Sequence, residues 1–334
     1  MVQRIMKISY AQRLEDHHLD LALGDVSGGF YIDIGGGHPV ADNVSYHFYL
    51  KGWHGLIIEP QAALAELYAH LRPRDIVLSH LVGAQDGVTD FHQVDRLHGF
   101  STIVEDHAKG ASAFGADYKT IPLPIRRLDS IIKERGITRI DFLKIDVEGA
   151  EADVLAGMDW QGVRPRVICI EAVAPGSMAQ AWQAWEPVIL DADYHFAYWD
   201  ELNRFYVAKE HAELLNRFPK GPSAWGCVTH FYEFGRVHQN SNHPDHALAT
   251  RLIKGFLASL PELREEALLA LLARSAGKNG MESGTALAEL FYGKADYPGT
   301  VKSSERPGFT LDDRARAALG RIAAQYDGGM VHDE

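Results

Sequence analysis

The sequence predicts an α/β fold: a doubly wound, mostly parallel sheet with helices on both faces, followed by an all-α extension at the C-terminal end. Three observations predict it. Strand-like and helix-like stretches alternate from residue 28 to about residue 208. The strand-like runs are short and almost wholly apolar, as strands covered on both faces must be. The last two runs, 194–200 and 203–208, are close enough to form a hairpin, so the final strand turns back against the others.

Each element has its own signal. "FYIDI" (30–34) follows Gly28-Gly29 and reads as the first buried strand. "VADNVSYHFYLKG" (40–52) places Val44, Phe48 and Tyr49 at helical spacing, and Gly52 suits a helix end. "GLIIE" (55–59) is the second strand, and "AALAELYAHL" (62–71) is a helix stopped by Pro73. "DIVLSHLVG" (75–83) reads as a third strand, with "GVTDFHQV" (87–94) pairing after the turn at Asp86-Gly87. Residues 95–120 show no period and read as a long loop. "LDSIIKERG" (128–136) is a short helix, "RIDFLKID" (139–146) the fourth strand, "GAEADVLAGM" (149–158) a helix and "RVICIEA" (166–172) the fifth strand. "MAQAWQAWEPVI" (178–189) begins as a helix that Pro187 closes. Beyond residue 236, "RVHQNSNHPDH" is a polar linker. "ALATRLIKGFLASL" then aligns Leu248, Leu252, Ile253, Phe256, Leu257 and Leu260 on one helical face. "EEALLALLARSA" and "LDDRARAALGRIAAQY" are helical as well. The chain divides into an N-terminal segment (1–27), an α/β domain (28–235) and a helical extension (236–334).

Composition narrows the function. The 334 residues are 46% hydrophobic and 23% charged, a globular balance, and the net charge is −12. An acidic chain without Lys/Arg clusters is a poor ligand for nucleic acid or anionic membrane. No run of 18 apolar residues exists to span a bilayer, and the first twenty residues lack the apolar core of a signal peptide. Cys169 and Cys227 form no metal spacing or disulfide framework, which favours a reducing, cytoplasmic compartment. The scattered histidines form no metal-ligand spacing.

In an open α/β sheet, ligands bind at the carboxyl ends of the strands. The turn after the first strand, Gly35-Gly36-Gly37-His38-Pro39, permits close backbone approach. Glu59 ends the second strand 24 residues beyond Gly35, where a carboxylate can accept from both hydroxyls of a ribose. A dinucleotide wants free N–H groups at a helix N-terminus. Here Pro39 removes one, and Asp33 adds a negative charge. Both features fit a cofactor with an adenosine, no phosphate and a cationic centre, such as S-adenosylmethionine, with Asp33 facing its cationic end. "KIDVEGAE" (144–151) sets Lys144, Asp146 and Glu148 at alternate positions at the fourth strand's carboxyl end, and Glu171 ends the fifth strand next door. Clustered carboxylates can raise one another's pKa or share a hard divalent ion, in which case Asp146 and Glu171 are the candidate ligands. Glu151 reads instead as a first-turn acid stabilised by its helix.

The stretches "DIGGGHPVADNVSYHFYLKGWHGLIIEP", "DFLKIDVEGAEADVLAG" and "WDELNRFYV" resemble the FkbM-type S-adenosylmethionine-dependent methyltransferases over roughly residues 25–210. The block "KIDVEGAE" is the most specific part. Family members usually carry a "DVGAN"-like turn, of which Gly36-Gly37-His38 is a variation. The resemblance implies a class I methyltransferase (Rossmann-like) sheet and O-methylation of a sugar or polyketide hydroxyl. The form "HPVADNV…FYLKGW…IIEP" is similar to members linked to surface polysaccharide synthesis. "GFSTI" (99–103) resembles a segment near the cofactor pocket and adds Ser101.

Turn and resemblance together assign cofactor binding to Asp33, Gly35, Gly37, His38, Glu59, Pro60, Ser101 and Asp146. Catalysis falls to Asp146, Glu171, Lys144 and Glu148, and acceptor binding to Asp200 and Asn203 at the hairpin tip. The expected activity is methyl transfer from S-adenosylmethionine to a hydroxyl of a glycan or glycosylated metabolite. The alternatives are an NAD-dependent oxidoreductase, which wants the third glycine that this turn lacks, and a nucleotide-binding regulatory or scaffold protein of a polysaccharide assembly complex. The C-terminal helices are the expected surface for a homodimer or a glycosyltransferase partner.

Overall fold

The computed structural model describes residues 7–94, 101–110, 117–177, 179–222, 228–264, 266–268, 270–271 and 311–327. It divides into two compact units, Met1–Glu233 and Phe234–Glu334.

In chain order the first unit runs β1 (Lys7–Ser9), α1 (Glu15–Leu23), β2 (Phe30–Ile34), α2 (Val44–Leu50), β3 (His54–Ile58), α3 (Ala62–Leu71), β4 (Ile76–Leu78), β5 (Leu81–Val82) and β6 (Gly87–Val94). It continues through α4 (Glu105–Gly110), β7 (Tyr118–Arg126), α5 (Leu128–Glu134), β8 (Ile140–Ile145), α6 (Glu151–Ala156) and β9 (Pro165–Glu171). It closes with α7 (Glu186–Asp191), β10 (Tyr194–Trp199), β11 (Asn203–Ala208) and β12 (Val228–His230). Seven strands form the main sheet in the order β10-β11-β9-β8-β2-β3-β4. Its β9-β8-β2-β3-β4 part is parallel, and β11 lies antiparallel to both β9 and β10, as the closing hairpin predicts.

The two sides of the sheet carry separate apolar clusters. Ile32 and Ile34 of β2 and Leu143 and Ile145 of β8 pack with Ile131 of α5 and Val154 of α6. Tyr31 and Phe142 of the same strands pack with Leu19 of α1, Phe48 of α2 and Tyr68 of α3. Successive strand residues point to opposite faces, so a strand apolar at every position needs cover on both. The segment before residue 28 supplies part of that cover through Leu19, Ala22 and Leu23.

Several elements depart from the sequence reading. Residues 75–83 are not one strand: β4 joins the main sheet, and β5 breaks away to pair with β7 in a three-stranded sheet of order β5-β7-β6. β6 pairs antiparallel with β7 from Gly87↔Ile125 to Val94↔Tyr118. The expected loop over 95–120 therefore contains α4 and the first residues of a strand. Pro187 opens α7 instead of closing a helix, because a proline in the first turn sacrifices an N–H that has no helical partner there.

In the second unit, α8 (His246–Ala258) and α9 (Leu311–Asp327) are the long helices among the described residues. The expected apolar stripe on α8 is split: Leu248, Leu252 and Phe256 are exposed, and Leu260 just beyond the helix is buried. The helix expected over "EEALLALLARSA" lies largely outside the described residues. Among the described residues, no helix is long and apolar enough to cross a membrane.

Candidate active site

Strand register builds the site. Ile34 lies opposite Ile58 on one side and Ile145 on the other, and Ile145 lies opposite Ile170. The residues one step beyond these, Gly35, Glu59, Asp146 and Glu171, therefore form a row across four strand ends. Two backbone bonds past the strands keep the register: Gly35 N–H donates to Ile58 O (2.9 Å) and Asp146 N–H to Ile34 O (3.1 Å). Above this row lies a cavity of about 440 Å³, lined by Gly35, Gly37, His38, Glu59, Pro60, Ser101, Lys144, Asp146, Glu148 and Glu171 among others.

The glycine turn is held from below by buried polar groups. Asn43 caps α2, its Oδ1 accepting from Tyr46 N–H (2.8 Å), while its Nδ2 donates to Gly36 O (2.9 Å). The Tyr68 hydroxyl donates to the same carbonyl at 2.8 Å. Arg72, fully buried, donates to Pro39 O, Asn43 Oδ1, Ser45 Oγ and Tyr31 OH, and pairs with Asp75 at 2.8 Å. His38 closes the turn through Nδ1, which accepts from the N–H groups of Val40 (3.1 Å) and Ala41 (3.0 Å) and so carries no proton. The sequence reading missed Asn43, Tyr68 and Arg72. Asn ahead of a periodic apolar run is a legible cap signal, whereas the other two reach the turn only through the tertiary fold.

Gly35 has φ +74°, and a Cβ there would sit on the Asp146 carbonyl oxygen. Gly35→Ala must combine a left-handed backbone with displacement of the neighbouring strand end. We expect a loss of about 2–4 kcal/mol of stability, read as a lower urea midpoint at unchanged m-value. A change below about 0.5 kcal/mol would show that the turn is not held this tightly.

Glu59 is almost wholly buried at the cavity floor. Its Oε2 accepts from Gly37 N–H (2.8 Å) and its Oε1 from Gln61 N–H (2.8 Å), which fixes the carboxylate plane. Burial pushes its pKa up to about 7, against the pull of those two N–H groups.

Asp33 departs from the expectation that it faces the cofactor. It does not line the cavity, because alternation along β2 turns it to Tyr31's side of the sheet. There its Oδ2 accepts from Ser45 Oγ at 2.6 Å, and Lys144 Nζ stands 3.8 Å from its Oδ1. Lys144 is a tie, not a proton acceptor: its Nζ donates to Gly35 O (3.2 Å) and to Asp146 Oδ2 (3.0 Å). Burial pulls its pKa down, but Asp146 and Asp33 more than offset this and keep it charged.

Asp146, Glu148 and Glu171 each offer a carboxylate oxygen, all within 4.8 Å of one another. Burial, and then the Asp146 charge, push Glu148 and Glu171 well above the ordinary carboxylate range. Glu148 has φ +56°, and its carbonyl accepts from Thr102 Oγ1 (2.8 Å) and pairs with His107 Nδ1 (3.0 Å). Glu151 Oε1 accepts from Val147 and Gly149 N–H (3.3 and 3.1 Å), so it braces the turn, as a first-turn acid should. Ser101 Oγ accepts from Val94 N–H (3.0 Å) at the cavity wall; Gly99 and Phe100 of its motif lie outside the described residues.

Asp200 and Asn203 are buried in the hairpin turn and do not line the cavity, although Leu202 between them does. Asp200 Oδ1 accepts from the N–H groups of Leu202 (2.9 Å) and Asn203 (2.5 Å), and Asn203 Nδ2 donates to Glu15 Oε1 (2.8 Å). Burial first, and the Asp200 charge second, raise Glu15 to about 8; burial raises Asp200 to about 6.

These raised carboxyls set the sign of the pH dependence. The folded chain keeps protons on Glu15, Glu59 and Asp200 that the unfolded chain releases near pH 4, so their contribution to stability is lost as pH rises toward about 8, while burial of His18, lowered to about 3, acts in the opposite sense below about pH 6.5. Calorimetry between pH 7 and 8, where His18 is largely neutral in both states, should show Tm decreasing with pH, by roughly 2–4 °C per kcal/mol lost. A flat or rising Tm would contradict the burial of these groups in protonated form.

Comparison with known proteins falls on the same segment. Residues 33–197 match the family model described as the Methyltransferase FkbM domain. The AMB antimetabolite synthetase AmbE of Pseudomonas aeruginosa is 63% identical over 35 residues, 10% of this chain and 2% of that protein. Methyltransferase sdnD of Sordaria araneosa is 39% identical over 66 residues, 16% of this chain and 25% of that protein. The matches thus span a quarter or less of either relative's own length. The matched family segment runs from Asp33 beneath the glycine turn, through Asp146 and Glu171, into the hairpin: over residues 33–197 the chain belongs to the FkbM methyltransferase family.

Proposed function

We propose that the first unit is a class I, doubly wound methyltransferase domain that moves a methyl group from S-adenosylmethionine to a hydroxyl of a sugar or glycan. One observation carries the cofactor reading. Glu59 is fixed at the second strand end by two backbone N–H groups, one to each oxygen, which leaves each oxygen a further lone pair on a side chain that lines the cavity above the glycine turn. That is the arrangement a ribose diol needs. The strand order, with one antiparallel strand inside an otherwise parallel sheet, supports the fold assignment.

The transfer is an in-line displacement. The acceptor oxygen bonds to the methyl carbon, the carbon–sulfur bond breaks, its electron pair stays on sulfur, and the hydroxyl loses its proton. Most of the acceleration comes from alignment. Asp146 accepts the hydroxyl proton, with Glu148 and Glu171 beside it, while Lys144 fixes Asp146 against the glycine turn. Aldehyde or ketone acceptors offer no such proton, so the cluster favours alcohols.

Incubation with methyl-labelled S-adenosylmethionine and a panel of oligosaccharides and glycosylated metabolites tests this reading. Label should enter an alkali-stable methyl ether on at least one glycan. Label found only on amines or carboxylates would overturn the acceptor assignment and leave methyl transfer intact.

A further inference from the structure

The carboxylate trio is crowded, and among the described residues only Lys144 brings it a positive charge. Lys144 is committed to Asp146 and Gly35, and it stands 3.8 Å from Asp33. Glu148 and Glu171 crowd Asp146, and among the described residues neither forms an ion pair of its own. Separately from the crowding, Glu171 is 9% exposed, and its Oε2 is buried with no hydrogen-bond partner among the described residues. A buried carboxylate oxygen left unpaired is costly. This one belongs to a side chain on the cavity wall, beside the two other carboxylates.

We propose that Asp146, Glu148 and Glu171 form a binding site for a hard divalent cation, of the magnesium or manganese class. The oxygens suit it in number, type and spacing. Ligands around such an ion lie about 2.0–2.6 Å from it, so any two of them are at most about 5 Å apart, and the three oxygens here fall within 4.8 Å of one another. All-oxygen ligation selects magnesium, manganese or calcium over zinc or copper. Three carboxylates leave coordination positions open toward the cavity for water and for one oxygen of the acceptor. The sequence reading offered only Asp146 and Glu171 as ligands. Glu148 joins them because its left-handed backbone, locked by Thr102 and His107, turns it out of the strand line.

The inference rests on the methyl-transfer reading only for what the ion would do there. It would lower the pKa of an acceptor hydroxyl in its coordination sphere, so that the hydroxyl proton leaves to water. The cluster then acts through the ion instead of accepting the proton itself. Binding of the ion does not depend on the cofactor.

The test uses the full chain and Mn²⁺ alone, followed by the loss of the free-ion electron paramagnetic resonance signal. The expected result is one saturable site per chain, competed by Mg²⁺ and weakened at least tenfold in both Glu171→Gln and Glu148→Gln. The exposed Glu66→Gln should leave it unchanged. Thermal melts of the two glutamine variants establish that they are folded. Glutamine keeps the size and shape of each side chain, so their melting temperatures should stay close to that of the parent. No saturable binding up to 10-fold molar excess at millimolar protein, or binding that both glutamine variants retain, would overturn the site. A chain that binds S-adenosylmethionine but not Mn²⁺ would keep the proposed function and lose the cation. The reverse pattern would keep the cation and lose the function.

Discussion

Glu59→Ala should weaken S-adenosylmethionine binding by about 100-fold or more. The carboxylate would accept from two ribose hydroxyls, and hydrogen bonds to a charged group contribute about 1.5–3 kcal/mol each. The substitution also strips the partners from Gly37 and Gln61 N–H, so the glycine turn loses the group that orients it. Glu59→Gln separates the two effects. An amide keeps one acceptor oxygen but cannot accept through its nitrogen, so one of the two backbone bonds fails, and about a tenfold loss is expected. Isothermal titration with S-adenosylhomocysteine measures both variants without turnover. An alanine variant within threefold of the parent would mean that the ribose does not lie on Glu59.

The largest effect on stability should come from Arg72→Met, about 3–5 kcal/mol, because removing one partner of a buried ion pair leaves the other charge uncompensated. Arg72 and Asp75 have no exposed side-chain surface. After the substitution Asp75 keeps only Tyr31 OH (2.7 Å) and Gly55 N–H (2.9 Å). Pro39 O, Asn43 and Ser45 each lose a donor, and all three support the turn that carries the cofactor reading. Urea denaturation measures the loss. Adding Asp75→Asn should recover part of it by removing the stranded charge. If the double variant is no more stable than Arg72→Met, the network is held by packing around the arginine, not by the ion pair.

The row of site residues was legible in the sequence because its signals are local. Short apolar strands ending in glycine or acid place Gly35, Glu59, Asp146 and Glu171 at strand tips, and parallel pairing in register aligns them. The closing hairpin was equally plain, since both strands and the turn lie within fifteen residues of sequence. What escaped was set by distance along the chain. β5 and β6 both pair with β7, across a segment with no period of its own. The network under the turn joins Tyr31, Asn43, Ser45, Tyr68, Arg72 and Asp75, of which only the asparagine announces itself. Asp33 was misplaced for a different reason. Its position in a strand buried on both faces fixes its direction by alternation, toward Tyr31's face and Ser45, and that period outweighs the attraction of a cationic ligand. Asp200 likewise spends its carboxylate on its own turn.

Titration of the full chain with S-adenosylmethionine and, separately, with NAD decides whether the cavity above the glycine turn holds an adenosine-bearing sulfonium. Saturable one-to-one binding of S-adenosylmethionine, weakened about 100-fold or more in Glu59→Ala, and no heat from NAD at the same concentrations are the expected results. Saturable binding of NAD with none of S-adenosylmethionine would contradict them.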